Sequence, residues 1–260
     1  MHGEIAIHLA PLALFHIGGI PVTNTLLTAV VVALLLIVFA YVVGRSLTLK
    51  PRRFQTVVEL LIMYPYNLVR DTLENDSVAD KVFPIIMTLF LFVLCINWFG
   101  LLPFVASIGV MHGDELIPFF YPGATDLNLT LALSFIAFFT IEIAGIVVLG
   151  AFTYGSKFIS FKSPMAFAVG LIELMSEIAR LISFSFRLFG NIFAGKVLIL
   201  VVLSFVPYVL PVPFVAFEVF VGFIQAAIFA LLTLFFTKIA IQLHEEHERD
   251  ERGAGVRLAT

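Results

Sequence analysis

From Met165 to Phe205 the chain runs 41 residues without a proline, and apolar side chains dominate it throughout. As one helix it would be about 60 Å long, twice the ~30 Å hydrocarbon thickness of a bilayer. The stretch is expected either to break or to cross a membrane at a steep tilt. Its centre is Leu181–Lys196, LISFSFRLFGNIFAGK, with Arg187 at the middle. A guanidinium cannot escape its charge by losing a proton, and at bilayer depth it is costly. Arg187 is therefore expected to face protein or water, and it is the first candidate for a functional residue.

Helical spacing extends that candidate into a track. At 100° per residue, Glu173, Ser176, Arg180, Ser183, Arg187 and Asn191 fall within roughly 40° of one direction. Gly190 and Ala194 sit beside the stripe at a spacing that lets another backbone approach. The structural alternative is a buried ion pair between Arg187 and a carboxylate on a neighbouring helix. The alignment of polar groups along a track favours function over a single pair.

Composition agrees. The chain is 61% hydrophobic and 13% charged, with a mean hydropathy of +1.08, against about 25% charged residues in soluble domains. We expect an all-α polytopic membrane protein, a single membrane domain over 1–260. It has about five transmembrane helices, one membrane-surface helix, and a last pair that is long and steeply tilted as a hairpin. Spans are expected at 25–43, 82–105, 127–152, 165–205 and 213–243. Phe54–Leu73 has apolar residues at helical spacing (Val57, Leu60, Leu61, Tyr64, Leu68) interrupted by Gln55, Glu59, Asn67, Arg70 and Asp71. That pattern suits a helix lying along the membrane surface, with a short globular helix as the alternative.

Loop charges orient the chain. Arg45, Lys50, Arg52 and Arg53 follow the first span, and Lys157 and Lys162 lie in the loop before Pro164. Both loops are expected inside. The segment 106–125 carries Asp114 and Glu115 but no Lys or Arg, which suits the outer side. The N-terminus is then periplasmic and the C-terminus cytoplasmic. The charged tail 244–260 is expected in solvent. His244 and His247 there lack the HExxH spacing of a zinc site, so no metal is expected. Single Cys95 excludes a disulfide framework. No phosphate-cradling loop, nucleophile triad or basic aromatic patch is present. Catalytic residues, cofactors and nucleic-acid partners are therefore not expected.

Polar residues elsewhere in the spans are the remaining candidates. Asp126 is either a helix N-cap or a polar group at the outer mouth of an ion path. Asn128 follows it, and Glu142 lies deep in the same apolar run. Glu218 and Gln225 are one heptad apart on the last helix, where Gly222, Ala226 and Ala230 give small-residue spacing.

RLFGNIFAG (Arg187–Gly195), with PGATDLNLTLALS (Pro122–Ser134), Ser183 and Gln225, resembles subunit a of the F-type ATP synthase, and the likeness covers most of the chain from the first span onward. The resemblance implies a non-catalytic stator subunit of the Fo sector in a bacterial cell membrane. It would face a ring of proteolipid subunits (the c-ring), with subunit b of the peripheral stalk, the other synthase subunits and membrane lipid as partners. It implies that Arg187 is the essential arginine, with Asn191 and Gln225 near it, between two offset aqueous half-channels that carry protons. In much-studied bacterial members the position nine after the arginine is a carboxylate and the one seven before the glutamine a histidine. Lys196 and Glu218 stand there in this chain, which suggests a swapped polar pair. Glu218 is then expected to be the acid of the outer path, with Lys196 on that side and Asp126, Asn128 and Glu142 as weaker candidates. Glu173, Ser176, Arg180 and Ser183 would line the inner path, with helix capping and surface solvation as the alternative for Glu173 and Glu177. Competing classes are an independent proton- or anion-coupled transporter, which would usually show internal repeats, and a structural scaffold.

Overall fold

Each long apolar run begins where a residue can satisfy a helix end. The computed structural model describes residues 12–17, 20–51, 53–102, 105, 108–112, 115–150, 154–155, 158, 164–206 and 209–257. Arg52, Asp114, Lys157, Lys162 and the side chains of the 244–260 tail lie outside the described residues. Helix α1, Asn24–Ser46, is capped by Thr23, whose hydroxyl accepts from Leu26 N. Helix α2 is Arg53–Leu73. Helix α3, Asp76–Phe99, is capped by Asn75 and carries Asp76 in its first turn, which the helix dipole favours. It starts six residues before the expected span and stops before Gly100. A Cβ at Gly100 would meet Pro122 at 2.7 Å, so the chain returns too tightly there for a side chain.

Helix α4, Leu127–Leu149, is capped by Asp126 and ends at Gly150, whose φ of +82° is left-handed and ends the helix three residues short of the expected span. Helices α5, Pro164–Phe205, and α6, Pro211–Arg257, each open on proline, which suits the first helical position because its missing N–H is not needed there. α5 is unbroken over 42 residues, so the broken-helix alternative is excluded. α6 runs on through most of the segment expected to be a separate tail.

Among the described residues, five helices are long and apolar enough to cross a membrane: α1, α3, α4, α5 and Pro211–Gln242 of α6. α3 and α4 pack centrally against the two long helices. Leu89 and Val93 (α3), Leu133 and Ala137 (α4), Phe184, Leu188 and Ile192 (α5), and Ala226 and Phe229 (α6) share one buried cluster. α1 leans on α3 through Ala29, Val32 and Ile96.

α2 buries Val58, Val69 and Leu73. Its expected apolar stripe, Val57, Leu60, Leu61, Tyr64 and Leu68, instead lines an open groove of ≈ 540 Å³ shared with α3 and α6. Two short antiparallel hairpins, Ala13–Ile17 with Ile20–Thr23 and Gly109–His112 with Glu115–Pro118, precede α1 and α4. No sequence pattern singled them out, because strands of four or five residues are too short to show an alternation.

Candidate functional site

α5 presents Arg187 where the chain offers it little. Leu188, Phe184 and Ile192 turn into the core, which rotates the Ser183–Arg187–Asn191 edge toward the rim of the bundle. Arg187 is half-buried. Its Nη2 donates to Ser183 Oγ at 3.2 Å, and among the described residues no carboxylate lies within ion-pair distance. One turn further, Asn191 Nδ2 donates to Gln225 Oε1 at 2.7 Å, tying α5 to α6 at the level of the arginine. Gln225 is buried, and its Nε2 has no partner among the described residues. Of the expected trio, Asn191 and Gln225 are joined directly, while Arg187 lies one helical turn before Asn191 and bonds to Ser183.

The close approach that Gly190 and Ala194 allow is not made by another helix of this chain. Gly190 has nothing within 4 Å of where a Cβ would stand, and Ala194 is exposed, so neither receives another helix of this chain. Gly195 does, because a Cβ there would overlap the Glu218 carboxylate. Glu218 is buried and lines a cavity of ≈ 10 Å³ together with Lys196, Asn97, Leu101, Pro122 and Ile192. Asn97 Nδ2 donates to Gly222 O at 3.3 Å. Its Oδ1 and Glu218 Oε1 are both buried without a partner. Lys196 Nζ stands 5.4 Å from the centre of the Tyr121 ring, and among the described residues it makes no ion pair, so Lys196 and Glu218 are neighbours but not a salt bridge.

Asp126 is an N-cap and also a clamp. Its Oδ1 accepts from Asn128 N at 2.9 Å and its Oδ2 from Thr25 Oγ1 at 2.6 Å, which ties α4 to α1 in a buried contact. Asn128 itself is exposed. Nearby, Thr130 and Ser185 hydroxyls lie 3.1 Å apart and link α4 to α5.

Glu142 does not belong with these groups. Sixteen residues of helix, about 24 Å, separate it from Asp126, and it interacts instead with Tyr154. The Tyr154 ring fits against Gly145, where a Cβ would collide with it. Burial, reinforced by the Glu142 carboxylate, pushes the Tyr154 hydroxyl well above the usual phenol range.

Arg180 shares this end. Its Nη1 donates to Glu177 Oε2 at 2.6 Å, with side-chain exposures of 15% and 3%, and its guanidinium lies 4.1 Å over the Phe236 ring. Helix capping does not describe Glu173 or Glu177, because α5 starts at Pro164, and surface solvation does not describe Glu177, which is buried. Glu173 is half-buried and Ser176 exposed.

Asn97, Thr25, Tyr154 and Ser185 were not singled out as site residues. Asn97 carried a usable signal, an amide ending an apolar run. The hydroxyls carried none, since Ser and Thr in a membrane helix usually bond to the preceding turn.

These features define a helical membrane protein in which, among the described residues, one half-buried guanidinium has no carboxylate partner and a separate acid is buried against the same helix. The family model described as ATP synthase A chain matches residues 25–238, and the chain belongs to that family. It is 34% identical over 230 residues to ATP synthase subunit a of Mycobacterium bovis, covering 86% of this chain and 89% of the relative. The protein of that name from Moorella thermoacetica is 30% identical over 239 residues, 91% and 98% of the two chains. The one from Campylobacter fetus is 32% identical over 224 residues, 86% and 92%.

Proposed function

We propose that this chain is the stator subunit that conducts protons past the rotating proteolipid ring of a rotary ATP synthase and is non-catalytic on its own. The observation that carries the reading is the electrostatic state of Arg187, a half-buried guanidinium that bonds to the Ser183 hydroxyl and has no carboxylate partner among the described residues. A ring carboxylate crosses lipid only when protonated, because its ionised form is too costly there. Beside Arg187 the ionised form is favoured, by about 1–3 pKa units for such a pair, so the proton leaves. Gly190, open on its outer side, leaves room for the ring helix to approach. The same fixed charge blocks direct proton leak between the two half-paths.

The outer half-path runs by Glu218, Asn97 and Lys196. The inner one runs along Glu173, Ser176 and Ser183, and ends near the Glu142–Tyr154–Glu177–Arg180 cluster. Asp126 acts at the outer mouth by fixing the start of α4. The two long helices cross at a steep tilt and α2 lies along the inner surface of a bacterial cell membrane, with the N-terminus outside. Partners are the ring, subunit b of the stalk and the remaining synthase subunits.

Vesicles containing the assembled complex test this directly. Arg187→Gln is expected to abolish ATP-driven acidification while the ATPase head stays assembled. Normal acidification would reject the mechanism.

A further inference from the structure

The cavity between α3, α5 and α6 has a composition that identifies its occupant. Asn97 Oδ1 and Glu218 Oε1 are buried acceptors without a partner. Lys196 is a donor of up to three hydrogen bonds with no ion pair among the described residues. All three residues line a space of ≈ 10 Å³, about the volume that holds one water. A water has two protons for the two oxygens and a lone pair for the ammonium, so its bonds match the unmet groups in number and kind. A sodium ion would suit the oxygens but would be repelled by Lys196.

We propose that this cavity binds a single ordered water that donates to Asn97 Oδ1 and Glu218 Oε1 and accepts from Lys196 Nζ. The proposal rests on the outer half-path described above and deepens it. The water is the last proton donor to Glu218. The water gives one of its own protons to Glu218 Oε1 as it takes a proton from the next water of the outer path: one O–H bond breaks, two form and one breaks on the neighbour, so the bound molecule stays neutral beside Lys196 throughout. Asn97 is a positioning residue, anchored to Gly222 O by its own amide. Lys196 holds the water between itself and the carboxylate, which keeps the two from collapsing into a salt bridge that would trap Glu218 ionised.

High-resolution electron cryomicroscopy of the assembled complex should show one density peak at hydrogen-bonding distance from Asn97 Oδ1 and Glu218 Oε1. A direct Lys196–Glu218 contact, or a peak that appears only with sodium, would overturn the proposal. Proton flux supplies the second readout. Asn97→Leu keeps the bulk but removes the acceptor, and is expected to lower flux about tenfold. Asn97→Ser leaves an acceptor and room for a second water, and should retain most of it. A purely packing role predicts the reverse order, with Leu tolerated and Ser not. Glu218→Gln separates the two levels. If it leaves flux unchanged, the outer path does not run through Glu218. If it stops flux while both Asn97 variants conduct normally, the path stands and the water relay falls.

Discussion

Arg180 and Arg187 stand seven residues apart on one face of one helix, under opposite conditions. Arg180 is closed off, paired with buried Glu177 and covered by the Phe236 ring. Arg187 is held by one hydroxyl. The difference separates an arginine neutralised within the fold from one whose charge has no carboxylate partner among the described residues. A buried pair satisfies both charges and locks a helix, whereas a guanidinium without a carboxylate partner retains its field for whatever approaches.

The largest expected effect tests that contrast head on. Arg187→Gln should eliminate proton pumping yet leave the melting temperature of the complex within a few degrees, whereas a large loss of stability would make Arg187 a second structural arginine. Next comes Gly195→Val, whose side chain must displace the Glu218 carboxylate. Flux should fall by about one order of magnitude or more, the range seen when a supporting contact moves a reacting group. Unchanged flux would mean that the position of Glu218 is not critical.

Arg180→Gln leaves Glu177 buried without its cation and should cost about 3–5 kcal/mol of stability, read as a lower melting temperature, while assembled complex still pumps. If pumping stops in fully assembled complex, Arg180 belongs to the ion path after all.

The smallest effect sits at the α2–α3 corner. Lys238 Nζ lies 2.8 Å from Glu74 Oε1, and that hydrogen bond holds the Glu74 carboxyl below the usual carboxylate range. A depressed acid contributes stability above its unfolded pKa and loses it as pH falls through the folded value. Wild type should be slightly more stable than Lys238→Met at neutral pH, and the two should converge below about pH 4. Because the pair is exposed, the difference is small. Identical melting temperatures at neutral pH would show that the pair contributes nothing.

Much of this was readable before any coordinates. The five long helices and α2 followed from apolar runs and their spacing. Asn191 and Gln225 were expected near each other, and they share a hydrogen bond. Boundaries moved where a cap sat outside the apolar run, as with Asn75 before α3, or where Gly150 ended α4 early. The site was legible along α5 but not across it. Glu142 looked like a companion of Asp126 because both lie on one helix, yet it is met by Tyr154 at the other end. Gly190 is open within this chain, whereas Gly195, which the sequence did not single out, is the glycine that receives a neighbour, the Glu218 carboxylate.

By itself, the sequence determined that this chain builds helices long and apolar enough to cross a membrane and carries a permanent charge near the middle of one of them. Both follow from local properties, the transfer cost of each side chain and the period of a helix. Even the i,i+3 spacing of Glu177 and Arg180 was there to read. Only the tertiary structure decided which arginine is neutralised and which acid is sealed against which glycine. Those outcomes depend on the register of α5 against α4 and α6, and that register is fixed by contacts between side chains far apart in the chain.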